Sequence, residues 1–121
     1  MTEELTEAQR EELTAALLTL QDDLRQTLRT TSEHARTVEL DQAAVGRLSR
    51  VDALQQQAMA AEQAKRNALR LRQVAVALQT VADDAYGDCK KCGEPIGYRR
   101  LRARPESPCC VLCMAEMERG H

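Results

Sequence analysis

With 121 residues and a formal net charge of −2, the chain is long enough for one domain, or one domain with a long appendage. Phe and Trp are absent and only two Tyr occur. Much of the apolar share is therefore alanine, which buries little area per residue, so extended helices or a coiled coil are expected in place of a large globular core. The slightly acidic balance also excludes non-specific nucleic-acid binding, which needs a strongly basic face to release phosphate counterions.

No apolar run approaches a membrane span, and the acidic start lacks a signal-peptide pattern, so the chain reads as cytoplasmic with no membrane partner. Five cysteines in a reducing compartment point to metal rather than disulfides.

From the N-terminus, Thr6-Glu7-Ala8-Gln9 forms a capping box, a hydroxyl followed three positions on by Gln. Leu13, Leu17, Leu20, Leu24, Leu28, Thr31 and Ala35 then recur at alternating steps of four and three. That is one narrow seam, as in a two-helix coiled coil, on a helix over about 6–35. The hydroxyl-rich Thr30-Thr31-Ser32 and the interruption at Thr37 to Leu40 place a turn near 36–41, with Asp41 as the N-cap of the next helix. Nothing then stops a helix before about Tyr86. Its expected seam is Leu54, Ala58, Ala61, Ala68, Leu71, Ala75, Leu78, Ala82 and Ala85, with Lys65 falling inside it. The two helices make an antiparallel hairpin over 1–86. The second is the longer, so its C-terminal part must pack on the first residues of the chain and on the module that follows. Gly87 is the C-cap candidate.

The module at 87–121 has two C-x-x-C knuckles, Cys89-Lys90-Lys91-Cys92 and Cys110-Val111-Leu112-Cys113. Each knuckle turns tightly enough for both thiolates to reach one ion, so Cys89, Cys92, Cys110 and Cys113 are the expected ligands of a single structural Zn2+. Four thiolates close the shell and leave no position for catalytic water. Cys110 with Cys113 preserves the two-residue spacing, whereas Cys109 would need three, so Cys109 is the odd thiol: a redox handle or a small buried residue. Gly93 suits a left-handed residue after the first knuckle, and Pro95 and Gly97 continue the turn. Tyr98 to Arg104 is a short extended segment or a loop. Ser107-Pro108 reads as an N-cap and first helical residue, opening a short C-terminal helix to about Arg119. The fold class is thus all-α: a long helical hairpin (coiled coil), a small four-cysteine zinc finger and a short closing helix.

The run Tyr86-Gly87-Asp88-Cys89, the Gly93 to Gly97 turn, Arg99-Arg100-Leu101-Arg102-Ala103-Arg104-Pro105 and the second knuckle together resemble the DksA/TraR-type zinc finger over about 84–117. The remainder agrees in kind, as a long N-terminal helical hairpin. The resemblance implies a bacterial transcription regulator that binds RNA polymerase and not DNA. The finger end would dock on the rim of the secondary channel while the hairpin tip reaches toward the active site. The family's tip motif resembles Asp-x-x-Asp-x-Ala, and Val38-Glu39-Leu40-Asp41-Gln42-Ala43 is its nearest counterpart here. Asp41 and Ala43 fit, Val38 replaces the first Asp, and Glu39 carries a charge at a different spacing. Asp52-Ala53 is a second candidate, and Asp41 serves equally as a helix cap. Of the basic residues that hold guanosine tetraphosphate in the family, Arg104 is matched. Gln73 and Met114 stand where lysines are implied and cannot ion-pair with phosphate, which predicts a weak or absent alarmone response.

The cluster Arg99, Arg100, Arg102 and Arg104 suits contact with an acidic polymerase surface or phosphate, or offsets the charge of the thiolate centre. Two further functions fit the chain: a zinc-stabilised coiled-coil adaptor, favoured by Val38 at the tip, and a thiol-based redox sensor, favoured by Cys109. No nucleophile–base pair is present, and the only histidines are His34 and His121, so the chain does not read as an enzyme.

Overall fold

The computed structural model describes residues 4–41 and 47–119, with side chains over 4–31 and 50–119. Among them lie four helices, α1 (Glu7–Asp41), α2 (Arg47–Ala82), α3 (Tyr98–Ala103) and α4 (Val111–Arg119). The only sheet-like feature of the described residues is one antiparallel bridge, Asp88 with Pro95. None of the described helices is long and apolar enough to cross a membrane.

Helix α1 starts where the capping box puts it. The Gln9 N–H donates to Thr6 Oγ1 at 3.1 Å and the Thr6 N–H to Gln9 Oε1 at 3.0 Å, so two otherwise orphaned amides are satisfied reciprocally. The expected end at 35 is corrected: α1 continues through Asp41, and the segment 36–41 is helical rather than a turn. The hydroxyl-rich stretch does not break the helix because its side chains bond back along it. Thr30 donates to the Gln26 carbonyl at 3.0 Å and Thr31 to the Thr27 carbonyl at 2.8 Å. Asp41 is therefore the last residue of α1 and not the N-cap of α2. The residues between α1 and α2, 42–46, lie outside the described ones, Ala43 among them.

Helix α2 ends earlier than expected, at Ala82, and Gly87 is not its cap. Asp84 takes the left-handed conformation, φ 58°. The Ala85 N–H then reaches the Thr80 carbonyl at 2.8 Å and the Asp84 N–H the Val81 carbonyl at 3.1 Å, the two bonds of a Schellman closure. Aspartate tolerates this φ better than most side chains, and glycine is not required.

Two compact units result, one of residues 1–21 with 72–121 and one of residues 22–71. In the first, the start of α1 lies beside the end of α2, so the helices run antiparallel: Arg10 pairs with Asp84 at 3.2 Å. Leu13, Leu17, Val74 and Ala77 form the buried seam there. The finger belongs to this unit and meets both helix ends. In the second unit Leu24 is buried, and Leu28 and Leu71 line one surface depression.

The α1 seam is the expected one over the described side chains, with Leu13, Leu17 and Leu24 buried and Leu20, Leu28 and Thr31 half-buried; Ala35 lies outside them. The α2 seam is corrected in part. Ala68, Leu71 and Leu78 are half-buried as expected. The fully buried residues are Val74 and Ala77, with Gln57, Ala64, Asn67 and Val81 half-buried, while Ala58, Ala61, Ala75, Ala82 and Ala85 are exposed and Leu54 is 57% exposed. Alanine occurs on nearly every turn of α2, so two stripes of small residues run along it. Each alanine contributes little by burial, and the few larger side chains, above all Val74, decide which stripe faces inward.

Replacing Leu17, 0% exposed, by Ala should cost about 2–5 kcal/mol in urea unfolding. Leu18→Ala, at a residue 51% exposed, should stay within about 0.5 kcal/mol of wild type. Equal losses from the two would contradict the seam.

Candidate metal centre

The finger is built from two backbone turns locked together by hydrogen bonds. In the first knuckle the Cys89 N–H donates to the Glu94 carbonyl at 2.8 Å and the Gly93 N–H to the Cys89 carbonyl at 2.9 Å. Gly93 takes φ 78°, a left-handed conformation that an ordinary side chain rarely adopts. The Lys90 N–H donates to the Pro108 carbonyl at 3.0 Å, which joins the first knuckle to the segment leading into the second.

The second knuckle lies at the start of α4. Ser107 and Pro108 do not open that helix, although their order predicts it. Instead Cys110 stands in the cap position, its carbonyl accepting from the Met114 N–H at 3.0 Å, and α4 begins at Val111. The segment 98–103 is likewise corrected from extended or loop to α3. Its Tyr-Arg-Arg-Leu-Arg-Ala sequence carries good helix formers, and one face buries Leu101 completely beneath the finger.

The Sγ atoms of Cys89, Cys92, Cys110 and Cys113 lie within 4.8 Å of one another. Cys92 Sγ and Cys110 Sγ stand 3.8 Å apart. A tetrahedron with Zn–S bonds of about 2.3 Å has an edge of about 3.8 Å, so this pair already has the spacing that zinc imposes. Cys109 is not one of the four. The donor set, all sulfur and all protein, fits one structural Zn2+ with a closed shell.

The thiols are not equivalent. Burial works against the Cys89 thiolate, but backbone N–H groups of Cys92, Cys110 and Lys91 directed at its sulfur outweigh it. They bring its pKa from 9.0 down to about 5. The Cys92 N–H donates to Cys89 Sγ at 3.5 Å. At Cys92 the Glu94 N–H favours the thiolate, yet the neighbouring Cys89 sulfur and burial push the thiol up. Cys113 is raised above the usual thiol range by its hydrogen bond with Cys110 and by burial. One sulfur of the cluster is thus ready as an anion at neutral pH, and a divalent ion must displace protons from its neighbours.

Contacts that no sequence motif announces fix the finger to the helix ends. The Tyr98 hydroxyl donates to the Glu12 carboxylate, which raises the tyrosine pKa. A Cβ at Gly87, whose φ is 104°, would stand 3.0 Å from Leu5 Cδ1, so glycine lets the start of the chain close over the turn. The buried Tyr86 donates to the Pro105 carbonyl at 2.8 Å. Burial and then the Glu106 carboxylate raise the Tyr86 pKa far above the ordinary phenol value. Tyr98 and Glu12 are far apart in sequence, so only a helix start already docked on the finger brings them together.

Of the other residues singled out in the sequence, Arg99, Arg102 and Arg104 are exposed and Arg100 is half-buried, all on or just after α3. Glu39 and Asp41 belong to the last turns of α1, their side chains outside the described residues.

Residues 85–119 match the family model of the prokaryotic dksA/traR C4-type zinc finger. The finger is of the DksA/TraR type. Over 43 residues the chain is 40% identical to the RNA polymerase-binding transcription factor DksA of Escherichia coli strain K12, covering 36% of this chain and 28% of that protein. Its likeness to the DksA of Haemophilus influenzae is of the same degree, 40% over 43 residues, 36% of this chain and 30% of the relative. An uncharacterised protein of Aquifex aeolicus is 41% identical over 49 residues, 40% of this chain and 34% of that one. The matched stretch thus spans under a third of the DksA relatives. Among solved structures, transcription factor DksA2 from Pseudomonas aeruginosa is similar over 93% of this chain and 85% of its own, at 26% identity and a TM-score of 0.75.

Purified protein should carry one zinc per chain, and Cys→Ser at Cys89 or Cys113 should abolish it, as measured by a colorimetric chelator. Because zinc binding displaces thiol protons, zinc affinity read by chelator competition should fall as pH is lowered, and an affinity independent of pH would contradict a thiolate shell.

Proposed function

We propose that this chain regulates transcription initiation by binding bacterial RNA polymerase, through protein contacts and not through DNA. The observation that carries this reading is a DksA/TraR-type finger joined to the ends of two long helices, in a chain similar over most of its length to a DksA2 transcription factor. In this reading the finger end docks on the rim of the secondary channel. The arginines on and just after α3 supply contacts: Arg99 and Arg104 are exposed, and guanidinium groups suit planar recognition of carboxylates. Zinc is structural and performs no chemistry.

The end of α1 and the residues that follow it enter the channel, with Glu39, Asp41 and Ala43 as the residues that act on the open promoter complex. An acidic, mixed-charge surface does not compete for DNA phosphates, which suits a factor working beside nucleic acid without binding it. Val38, where the family pattern has an aspartate, removes one charge from that set. Gln73 and Met114 remove two cations from the region where the family binds guanosine tetraphosphate, and Arg104 alone supplies weak anion affinity.

Co-purification with RNA polymerase core enzyme tests the reading. Binding should survive Asp41→Asn while the effect on open-complex lifetime in a promoter-specific assay is lost. Absence of any binding to polymerase would sink the proposal and leave a coiled-coil adaptor for another protein. Adding the chain to polymerase should leave affinity for guanosine tetraphosphate unchanged; marked tightening would contradict the roles given to Gln73 and Met114.

A further inference from the structure

A cleft of about 480 Å3 opens to solvent between the last turns of α2, the turn 85–90 and the segment 106–108, all in one compact unit. Hydrogen bonds fix its walls. The Ile96 N–H donates to the Gly87 carbonyl at 2.8 Å and the Lys90 N–H to the Pro108 carbonyl at 3.0 Å. The Tyr86 hydroxyl donates to the Pro105 carbonyl at 2.8 Å. The cleft is therefore preformed, and filling it requires little further ordering. Its apolar lining includes Val76, Ala77, Ile96 and Pro108. Ala77 and Ile96 are buried, but Val76 is 43% exposed on the wall of this concavity. A branched aliphatic side chain left wet there gains from an apolar occupant.

The charges inside the cleft do not select a free anion. Arg72 and Lys90 line it, but so do Asp88 and the buried Glu106. Positive charge dominates beside it instead. The Ser107 N–H donates to the Arg104 carbonyl at 3.1 Å, so the turn that forms one wall also carries the exposed Arg104. Arg99 and Arg102 are exposed on α3, just before that turn. An occupant that matches both features is apolar where it enters and acidic where it flanks. We propose that the cleft is a socket for one apolar side chain of an RNA polymerase segment whose neighbouring carboxylates meet the arginines on and after α3. This inference rests on the polymerase-binding reading and adds the chemistry of the segment bound. A valine exposed without a role would tolerate a polar replacement, so the two cases separate at Val76.

The test titrates the zinc-loaded full chain against RNA polymerase core enzyme. Val76→Glu should weaken binding about tenfold or more, the scale of one apolar side chain lost from burial. Leu18→Glu, at a residue 51% exposed and outside the cleft, should match wild type. Val76→Thr keeps the shape and adds a hydroxyl; it should lose several-fold, and it carries the comparison if Val76→Glu does not fold. A photo-crosslinking side chain in place of Val76 should capture a polymerase peptide with an apolar residue beside Asp or Glu. Wild-type affinity in the Val76 variants, or equal losses from Val76→Glu and Leu18→Glu, would overturn the socket and leave polymerase binding intact. Capture of a basic peptide, or of none, from a complex that still forms would do the same. Failure of the wild-type chain to bind polymerase would instead overturn the polymerase reading, and the socket with it.

Discussion

The convergence of four cysteine sulfurs is the constraint on which the finger depends. Four thiols within 4.8 Å of one another gain little from proximity alone, and four thiolates there would repel. A divalent ion reverses that balance. The apolar groups of the finger are few: Tyr86, Ile96 and Leu101 are its large buried side chains outside the cysteines. A core of that size cannot by itself offset the ordering of the finger's backbone, at roughly 1–2 kcal/mol for each residue. Binding free energies of about 10–16 kcal/mol for structural zinc are of the magnitude needed to make the difference.

The metal's influence extends into the helix ends because the finger has no separate core. It shares a compact unit with the start of α1 and the end of α2. The polar links between them, Arg10 with Asp84 and Tyr98 with Glu12, sit at the surface, where an ion pair is worth about 0–1 kcal/mol. They set orientation. Attachment comes from Leu5 over Gly87 and from the continuous burial of Leu13, Leu17, Val74 and Ala77. Substituting Gly87 would disturb this twice, through its positive φ and through the 3.0 Å approach of Leu5.

What could be read from the sequence follows from how local each signal is. The capping box at Thr6 and Gln9, the leucine seam of α1 and the doubled C-x-x-C all depend on residues a few positions apart, and the structure has them where that spacing puts them. The end of α1 was not legible because threonine is ambiguous: its hydroxyl can compete with the helix or, as at Thr30 and Thr31, bond back into it. The face of α2 is only partly legible, because alanine marks both stripes and the partner helix makes the choice. Asp84 took the left-handed cap that Gly87 was expected to fill, since the position is set by where Thr80 and Val81 leave free carbonyls. The Tyr98–Glu12 contact joins residues distant in sequence and has no local signature at all.

The separation of Cys110 from Cys109 shows how helix geometry decides between ligand and neighbour. Cys110 caps α4 and Cys113 lies in its first turn, three positions on. Residues at that spacing share a helix face, so both sulfurs point the same way. Cys109 precedes the cap, so its side chain cannot follow that face. It is buried, 5% exposed, and its sulfur is not among the four that converge. One residue of displacement along the chain therefore separates a ligand from a buried neighbour that takes no part in the set. The two-residue spacing of the knuckle is a consequence of the helix that follows it, and the metal selects the pair that helix presents.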